Sequence, residues 1–439
     1  MSIFKAYDIR GIYPTELNEE LAYKIGKAAA KFFNTDTFVV GSDVRISRDA
    51  IFNNFTKGLM AMGVNVVNIG VVTTPLVYWT VSNKGYKTGA MITASHNPKE
   101  YNGIKFCKEG AFPVAAEEIQ EIRKYAEADL PESDKKGIMT DLNIIDEYRL
   151  FIEAQAYLPK RKRVVIDTGN AVCGKIIPLV YKNLNIEIIP LFFDPDPTFP
   201  NHAPNPLEPE NTEALIKKVL ETGADMGAAF DGDGDRVFLV DDKGEVIGGD
   251  FVTLLVALAM IEDGLENKTF LIDCRCSWIV KETLEKLGSR VIASRVGHSF
   301  IKRAMRKENV VLAGELSGHY YYQSNSYAES SDLTLMNILK QLCKKDIPLS
   351  EIMEPYKIYF QSGEINSDVE DKDGKMKELQ EIYSTGKISH IDGVTIEFDD
   401  WWMNVRPSNT EPLLRLNLEA RNKTLMEQKR DEVLAIIRK

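Results

Sequence analysis

Three segments of the 439-residue chain repeat one order of predicted elements, and this repeat limits the fold more than any other feature. Each segment runs strand, helix, strand, helix, strand, and ends in a loop rich in polar residues. The segments span residues 38–98, 163–236 and 269–319. Stretches 212–223 and 277–288 carry apolar residues at helical spacing, between a Thr or Ser cap and a Gly stop. Strands that alternate with helices form largely parallel sheets covered by helices. The sequence therefore predicts three related α/β domains, and we expect their sheets to be mixed.

The last part of the chain departs from this repeat. After about residue 365, a charged stretch, "GVTIEFDDWWMNVRPSNTEPLLRLNLEA" (393–420) and a final helical pattern predict a small α+β domain with an antiparallel sheet. A chain of this length exceeds a single core. We therefore expect four domains, with linkers near 131–145, 243–250 and 358–368. The expected domains are 1–145, 146–248, 249–362 and 363–439.

Polar loops follow the third strand of each repeat. They read "TASHNP" (93–98), "DGDGDR" (231–236) and "GELSGH" (314–319). Ligands of parallel α/β sheets bind beyond the carboxyl ends of the strands. The three loops are therefore expected to face one another, although each one alone also reads as an ordinary turn or a solvated strand end.

The aspartate loop has the clearest chemistry. Asp231, Asp233 and Asp235 alternate with glycines, and three converging carboxylates repel one another unless a cation neutralises them. A divalent ion is the expected occupant, with Mg²⁺ favoured if a phosphate completes its ligands. An EF-hand is excluded because its sixth and twelfth positions would hold Arg236 and Asp242 in place of Gly and Glu.

Two further clusters suit anions. "RPSNTEP" (406–412) places a guanidinium, two hydroxyls and an amide in one short loop, a donor set that fits a phosphate dianion. "YDIRG" (7–11) places Arg10 at a strand end. Together with the serine in "TASHNP" and the aspartates, these loops indicate phosphoryl transfer through a covalent enzyme intermediate.

Bulk properties narrow the possible partners. The net charge of −11 argues against non-specific binding to nucleic acid or to an anionic membrane. The longest apolar stretch, Phe251 to Ile261, is too short to span a bilayer, and the start of the chain lacks the pattern of a signal peptide. Five scattered cysteines fit a reducing compartment, so we expect a cytoplasmic protein.

The four loops "TASHNP", "DGDGDR", "GELSGH" and "RPSNTEP", in this order, resemble those of the α-D-phosphohexomutases, specifically the bacterial phosphomannomutase/phosphoglucomutase group. The resemblance covers nearly the whole chain and implies four domains around a central active-site cleft. It implies a phosphoserine enzyme that interconverts mannose 1-phosphate and mannose 6-phosphate, and also the two glucose phosphates. A hexose 1,6-bisphosphate would serve as intermediate and activator.

The resemblance also implies roles for individual residues. Ser95 would carry the phosphoryl group, and one Mg²⁺ per chain would be held by that serine and the three aspartates, Asp231, Asp233 and Asp235. Lys105, in "NGIK", would act as general acid/base. The residues that would support the transferring phosphate are His96, Arg10 and Arg236.

The remaining implied residues bind the sugar phosphate. Glu315 and Ser317 would read the O3 and O4 hydroxyls, and Arg275 stands where the family commonly has a lysine. The other residues expected along the cleft are Tyr7, Gly297, His298 and His319. The phosphate that is not being transferred would be bound by Arg406, Ser408, Asn409 and Thr410.

The sequence leaves alternatives to a phosphomannomutase/phosphoglucomutase function. Phosphoglucosamine mutases share the loops, but they usually have Gln where this chain has Leu316, and "DNGIK" where it has "YNGIK". A non-catalytic sugar-phosphate sensor of the same fold would be favoured by loss of Ser95 or an aspartate, and a structural cation-binding protein by an EF-hand match. The sequence does not rank mannose against glucose phosphates. The partners expected are small hexose phosphates, for a monomer or a homodimer.

Overall fold

The computed structural model describes residues 3–5, 7–408 and 413–439. It confirms the predicted fold class of three related α/β domains and a C-terminal α+β domain. No helix in these ranges is both long and apolar enough to cross a membrane.

Domain I contains a seven-stranded mixed sheet with the order β1-β5-β4-β2-β3-β7, and β6 pairs with β5. Its elements are β1 (Ile9–Ile12), α1 (Glu19–Phe33), β2 (Thr37–Ser42), α2 (Arg48–Ala61), β3 (Asn65–Val71), α3 (Thr74–Asn83), β4 (Thr88–Ile92), β5 (Tyr101–Lys108), β6 (Phe112–Pro113), α4 (Ala116–Glu127) and β7 (Met139–Asp141). The stretch 131–145, predicted as a linker, therefore contributes the edge strand β7, which pairs in parallel with β3.

Domain II repeats the arrangement in a smaller sheet with the order β12-β11-β10-β8-β9. Its elements are α5 (Ile145–Glu153), β8 (Lys162–Asp167), α6 (Cys173–Val180), β9 (Ile186–Leu191), α7 (Glu213–Thr222), β10 (Met226–Phe230), β11 (Val237–Val240) and β12 (Val246–Ile247). Helix α7 ends at Gly223, in the left-handed region, as predicted. Thr212 stands at the N-cap position, but its side chain donates to Pro209 O instead of capping the helix.

Domain III has the sheet order β14-β13-β15-β16-β17. Its elements are α8 (Gly249–Glu262), β13 (Thr269–Asp273), α9 (Trp278–Lys286), β14 (Arg290–Ser294), α10 (His298–Glu308), β15 (Leu312–Gly314), β16 (Tyr320–Tyr322), β17 (Ala328–Glu329), α11 (Ser331–Lys345) and α12 (Leu349–Met353). Ser277 caps α9 as predicted, because its hydroxyl accepts from Ile279 N. The expected linker 243–250 is also partly ordered, since it contains β12 and the start of α8.

Domain IV is an antiparallel five-stranded sheet with the order β18-β22-β21-β20-β19. Its elements are β18 (Phe360–Asp368), α13 (Lys372–Ile382), β19 (Lys387–Ser389), β20 (Val394–Glu397), β21 (Trp401–Pro407), β22 (Leu413–Ala420) and α14 (Lys423–Ile437). The predicted linker 358–368 is wrong, because most of it forms the edge strand β18. Domain IV packs around its own hydrophobic cluster, whereas one large cluster runs through domains I, II and III.

The three repeats place their loops equivalently. In each α/β domain the first strand of the repeat lies between the second and third, and all three are parallel. The third strand then turns into an antiparallel neighbour, through the loop that carries the polar motif. The predicted functional loops therefore occupy the same position in three related sheets.

Candidate active site

The serine loop of domain I and the aspartate loop of domain II are in direct contact. Ser95 Oγ donates a hydrogen bond to Asp231 Oδ2 at 2.8 Å, although the two residues are 136 positions apart. Ser95 is buried, with 1% of its surface exposed. Gly232 must lack a side chain here, because a Cβ at this position would lie 2.2 Å from Ser95 O. The predicted convergence of these two loops is confirmed by this contact.

The three aspartates form a buried cluster that suits a divalent cation. Ligand oxygens of Asp231, Asp233 and Asp235 all lie within 4.8 Å of one another. Lys105 Nζ donates to Asp233 Oδ2 and to Asp235 Oδ2, at 2.8 Å each. Asp233 Oδ1 is buried without a hydrogen-bond donor among the described residues, so the cluster keeps an oxygen available for a metal.

The charges around the cluster perturb its carboxyl groups in opposite directions. Burial and the neighbouring carboxylates of Asp235 and Asp233 raise the pKa of Asp231 to about 8. Burial also acts to raise the pKa of Asp235, but Lys105 and His319 hold it well below its usual range. Burial would lower the pKa of Lys105, yet its aspartate partners raise it, so this side chain is an ammonium. Such opposed shifts are typical of a functional site.

The backbone of the serine loop is held by a buried arginine. Ser95 has a positive φ of 51°, a conformation that a non-glycine residue adopts only when its surroundings impose it. The Arg45 guanidinium donates to the carbonyl oxygens of Ser95, Asn97, Pro98 and Tyr101 at distances of 2.5 to 3.0 Å. We conclude that Arg45 fixes the path of this loop.

Further contacts join Arg45 to its surroundings. Its Nε donates to Asp43 Oδ2 at 3.2 Å, and the same carboxylate oxygen accepts from Thr93 Oγ1 at 2.6 Å. The guanidinium also lies 5.6 Å from the ring centroid of Phe199, a residue of domain II. Arg45 thus connects the serine loop of domain I to domain II, the domain that carries the aspartate cluster.

Cationic and neutral nitrogen groups surround Ser95. His96 Nδ1 lies 3.4 Å from Ser95 Oγ. Burial, followed by the charges of Arg236, Arg10 and Lys105, lowers the pKa of His96 well below its ordinary value, so the imidazole is neutral. Arg10 pairs with Asp8 and donates from Nη1 to Asn97 Oδ1 at 2.5 Å. His96 and Arg10 therefore lie at the serine loop, and Arg236 Nε lies 3.7 Å from Asp231 Oδ2, the oxygen that accepts from Ser95.

The third loop joins the same site through His319. His319 Nε2 lies 3.4 Å from Asp235 Oδ1, and its Nδ1 lies 3.3 Å from Glu315 Oε2. Burial and Arg236 act to lower the pKa of His319, but the two carboxylates raise it to about 9. Ser317 Oγ is 3.1 Å from His319 Nδ1. His319 therefore links Glu315 and Ser317, the residues expected to read the sugar, to the aspartate cluster of domain II.

Glu315 is held as a carboxylate. Its Oε1 accepts from Gly297 N at 2.7 Å, and its Oε2 accepts from Tyr321 OH at 2.5 Å. Burial acts to raise its pKa, but His319 and these donors lower it to about 2. A negatively charged, oriented acceptor of this kind can receive hydrogen bonds from sugar hydroxyls.

Tyr7, Gly297 and His298 form one wall beside Glu315. Tyr7 and His298 make an edge-to-face ring contact with centroids 5.1 Å apart. Gly297 has a φ of 120°, and a Cβ there would lie 3.1 Å from Tyr7 OH. Burial and nearby cations lower the pKa of His298 well below its ordinary value, so it is neutral as well.

The proposed phosphate loop of domain IV lies near Arg275 of domain III. Arg275 Nη1 and Arg406 Nη2 both donate to Glu364 Oε2, at 2.9 Å each. Ser408 N donates to Leu413 O at 2.8 Å. The predicted ligands Asn409 and Thr410 lie outside the described residues.

Sequence reasoning missed three residues that hold the site together. Arg45 and Glu364 are described above, and Thr74 contacts Asp233 twice. Thr74 Oγ1 donates to Asp233 Oδ2 at 2.6 Å, and Thr74 N donates to Asp233 O at 2.8 Å. Arg45 and Thr74 follow the carboxyl ends of β2 and β3, so their strand-end positions were a usable signal.

The chain matches the phosphoglucomutase/phosphomannomutase domain families along most of its length. The matches are alpha/beta/alpha domain I at 1–132, domain II at 146–244, domain III at 248–359, and the C-terminal domain at 364–436. A phosphomannomutase from Methanocaldococcus jannaschii is 38% identical over 100% of this chain and 98% of its own. A phosphomannomutase from Escherichia coli K12 is 36% identical over 100% of this chain and 99% of its own.

Solved structures share the architecture. A phosphoglucomutase/phosphomannomutase family protein from Burkholderia thailandensis superposes with a TM-score of 0.91 at 29% identity, over 99% of this chain and 96% of its own. An Aspergillus fumigatus N-acetylphosphoglucosamine mutase, solved with GlcNAc-6P and magnesium, superposes with a TM-score of 0.64 at 14% identity, over 98% of this chain and 94% of its own. The second likeness shows the fold alone.

Proposed function

The chain belongs to the phosphoglucomutase/phosphomannomutase family of isomerases, and from this premise we propose that it interconverts the 1- and 6-phosphates of mannose, and of glucose, through a phosphoserine. The observation that carries the proposal is the hydrogen bond between Ser95 Oγ and Asp231, at the edge of a buried three-carboxylate cluster. A serine placed there can carry a phosphoryl group beside a cation.

We propose that one Mg²⁺ is held by Asp231, Asp233 and Asp235 together with the phosphate on Ser95. The unpaired Asp233 Oδ1 and the all-oxygen donor set fit this ion. When bound, Mg²⁺ would offset the negative charge that develops on the phosphoryl group during transfer. Lys105, which pairs with two of the aspartates, is assigned as general acid/base.

In the first half-reaction, a hydroxyl oxygen of the hexose phosphate attacks the phosphorus on Ser95. The bond from phosphorus to Ser95 Oγ breaks as the bond to the sugar oxygen forms. The Lys105 ammonium, as general acid, gives a proton to the departing Ser95 Oγ, and the amine that remains takes the proton of the sugar hydroxyl, so that Lys105 ends the step as an ammonium again. Arg10, Arg236 and the neutral His96 surround the group in transfer. The product of this step is a hexose 1,6-bisphosphate.

In the second half-reaction, the bisphosphate has turned so that its other phosphate faces Ser95, and that phosphate is transferred back to the enzyme. Glu315 and Ser317 are assigned to O3 and O4, which mannose and glucose share, so use of both sugars is expected. Arg406 and Ser408, with Asn409 and Thr410, are assigned to the phosphate that is not being transferred. The proposed cleft is lined by Arg275, Tyr7, Gly297, His298 and His319.

A site built within one chain can operate in a monomer or in a homodimer, and we propose one of these two states. We place the reaction in the cytoplasm, where the five free cysteines stay reduced.

A coupled assay with mannose 1-phosphate, glucose 1-phosphate and glucosamine 1-phosphate, each with a trace of hexose 1,6-bisphosphate, tests the proposal. We expect turnover of the first two sugars. Turnover of glucosamine 1-phosphate alone would identify a phosphoglucosamine mutase instead. Lack of turnover of all three would favour a non-catalytic sugar-phosphate sensor.

A further inference from the structure

Glu364 of domain IV is surrounded by three guanidinium groups. Its Oε2 accepts from Arg275 Nη1 and from Arg406 Nη2, both at 2.9 Å, and its Oε1 accepts from Arg415 Nη1 at 3.1 Å. Arg275 belongs to domain III, whereas the other two arginines belong to domain IV. One carboxylate therefore links cations across the border between two domains.

The position of Glu364 in its strand explains how it reaches these groups. The pairing of β18 with β22 changes register between Gln361 and Glu364, and a bulge of this kind redirects the side chains around it. The Glu364 side chain keeps 24% of its surface exposed. It is therefore partly accessible to a ligand.

Arg275 is held in place by a second carboxylate, and Arg406 has a donor without an acceptor among the described residues. Arg275 makes a two-pronged pair with Asp273, with Nε to Oδ1 at 3.1 Å and Nη2 to Oδ2 at 2.7 Å. Asp273 Oδ2 also accepts from Leu316 N in the sugar-reading loop. Arg406 Nε is buried and finds no acceptor in the described part of the chain.

We propose that Glu364 is a charge-balancing residue that limits how tightly the cleft holds the non-transferred phosphate. This inference rests on the proposed function, in which that phosphate must leave Arg406 so that the bisphosphate can turn between the two half-reactions. Two arginines without a carboxylate between them would bind a dianion more tightly and release it more slowly. Glu364 repels the dianion from within hydrogen-bond distance of both arginines, and so favours its release.

The test is the variant Glu364→Gln, which keeps the shape of the side chain and an acceptor oxygen but removes the charge. Titration calorimetry with inorganic phosphate and with glucose 6-phosphate measures binding, and the coupled assay measures kcat and KM. We expect binding about three- to tenfold tighter than in the wild type, as the loss of one repulsive charge near a dianion predicts. We expect KM and kcat to fall together, because release becomes slower.

Two control variants separate charge from geometry and from general effects. Glu364→Asp keeps the charge, so its phosphate affinity should stay within about twofold of the wild type if charge is the cause. Glu308→Gln removes a carboxylate that pairs with Arg290 at 2.6 Å and has a similar exposure. Glu308 lies at the opposite end of α10 from His298, so this variant should behave like the wild type.

The outcomes are distinguishable. Unchanged or weaker phosphate binding by Glu364→Gln, or tighter binding with an undiminished kcat, would overturn the charge-balancing role. A wild-type protein without mutase activity would overturn the proposed function instead. The calorimetric comparison can be made in either case, because it does not depend on turnover.

Discussion

Replacing Arg45 by methionine tests how the serine loop is built. Methionine keeps much of the apolar length of arginine and removes every donor. Three backbone carbonyl groups of the loop and that of Tyr101 in β5 would lose a charged donor, and the buried Asp43 would lose its cationic partner. Removing one member of a buried ion pair costs about 3–5 kcal/mol, because the remaining charge is left without compensation. We expect a loss of unfolding free energy in this range for Arg45→Met.

The loss of unfolding free energy should depend on pH, and the direction of this dependence follows from the titration of Asp43. Burial raises the pKa of Asp43 to about 6, against the lowering effect of Arg45. An acid with a raised pKa in the folded state destabilises that state progressively as pH rises from the unfolded pKa of about 3.9 towards the folded value. Without Arg45 the folded pKa rises further. The stability difference between wild type and Arg45→Met should therefore be larger near pH 8 than near pH 5.

The assay combines urea unfolding followed by circular dichroism at the two pH values with the coupled mutase assay. Activity should fall by about a hundredfold, the effect of a displacement near 1 Å at a reacting group. Arg48→Met is the matched control, since Arg48 pairs with Asp49 on the surface, where such pairs contribute about 0–1 kcal/mol. If Arg45→Met unfolds and turns over substrate as Arg48→Met does, Arg45 does not fix the loop.

Three other substitutions test the remaining parts of the site. Asp233→Asn should weaken Mg²⁺ binding, measured by calorimetry, and turnover together, and near wild-type values of both would exclude this metal site. Glu315→Ala should reduce kcat/KM for mannose 1-phosphate and glucose 1-phosphate by the same factor, about ten- to a hundredfold, the effect of losing hydrogen bonds to a charged acceptor. A loss of activity with only one of the two sugars would show that the loop senses C2. Thr74→Val should weaken Mg²⁺ binding about five- to thirtyfold, because the hydrogen bond to Asp233 is lost, and Thr74→Ser should restore it. Equal Mg²⁺ affinity in the wild type, Thr74→Val and Thr74→Ser would refute a positioning role for Thr74.

The repeat was predictable because its signal is local. Apolar strands, helical spacing and polar strand ends each occupy a short stretch of sequence, so three α/β units and their loops follow from pattern alone. The contact between Ser95 and Asp231 could be anticipated for the same reason, since strand ends of α/β sheets collect ligands.

The parts that sequence reasoning missed depend on distant partners. Strand β18, in the stretch predicted as a linker, is a mostly exposed edge strand whose polar residues gain their order from pairing with β22. The edge strand β7 has the same character. Glu364 acquires its significance only when Arg275 is brought to it from 89 residues away. No local pattern encodes a contact of this kind.

The most direct test of the central claim is to follow the phosphoryl group. The purified protein is incubated with glucose 1,6-bisphosphate, its peptides are mapped by mass spectrometry, and a second sample is then chased with excess glucose 6-phosphate. We predict phosphate on Ser95, its loss to the sugar during the chase, and neither labelling nor turnover in Ser95→Ala. Phosphate found on another residue, together with full activity of Ser95→Ala, would contradict the phosphoserine mechanism.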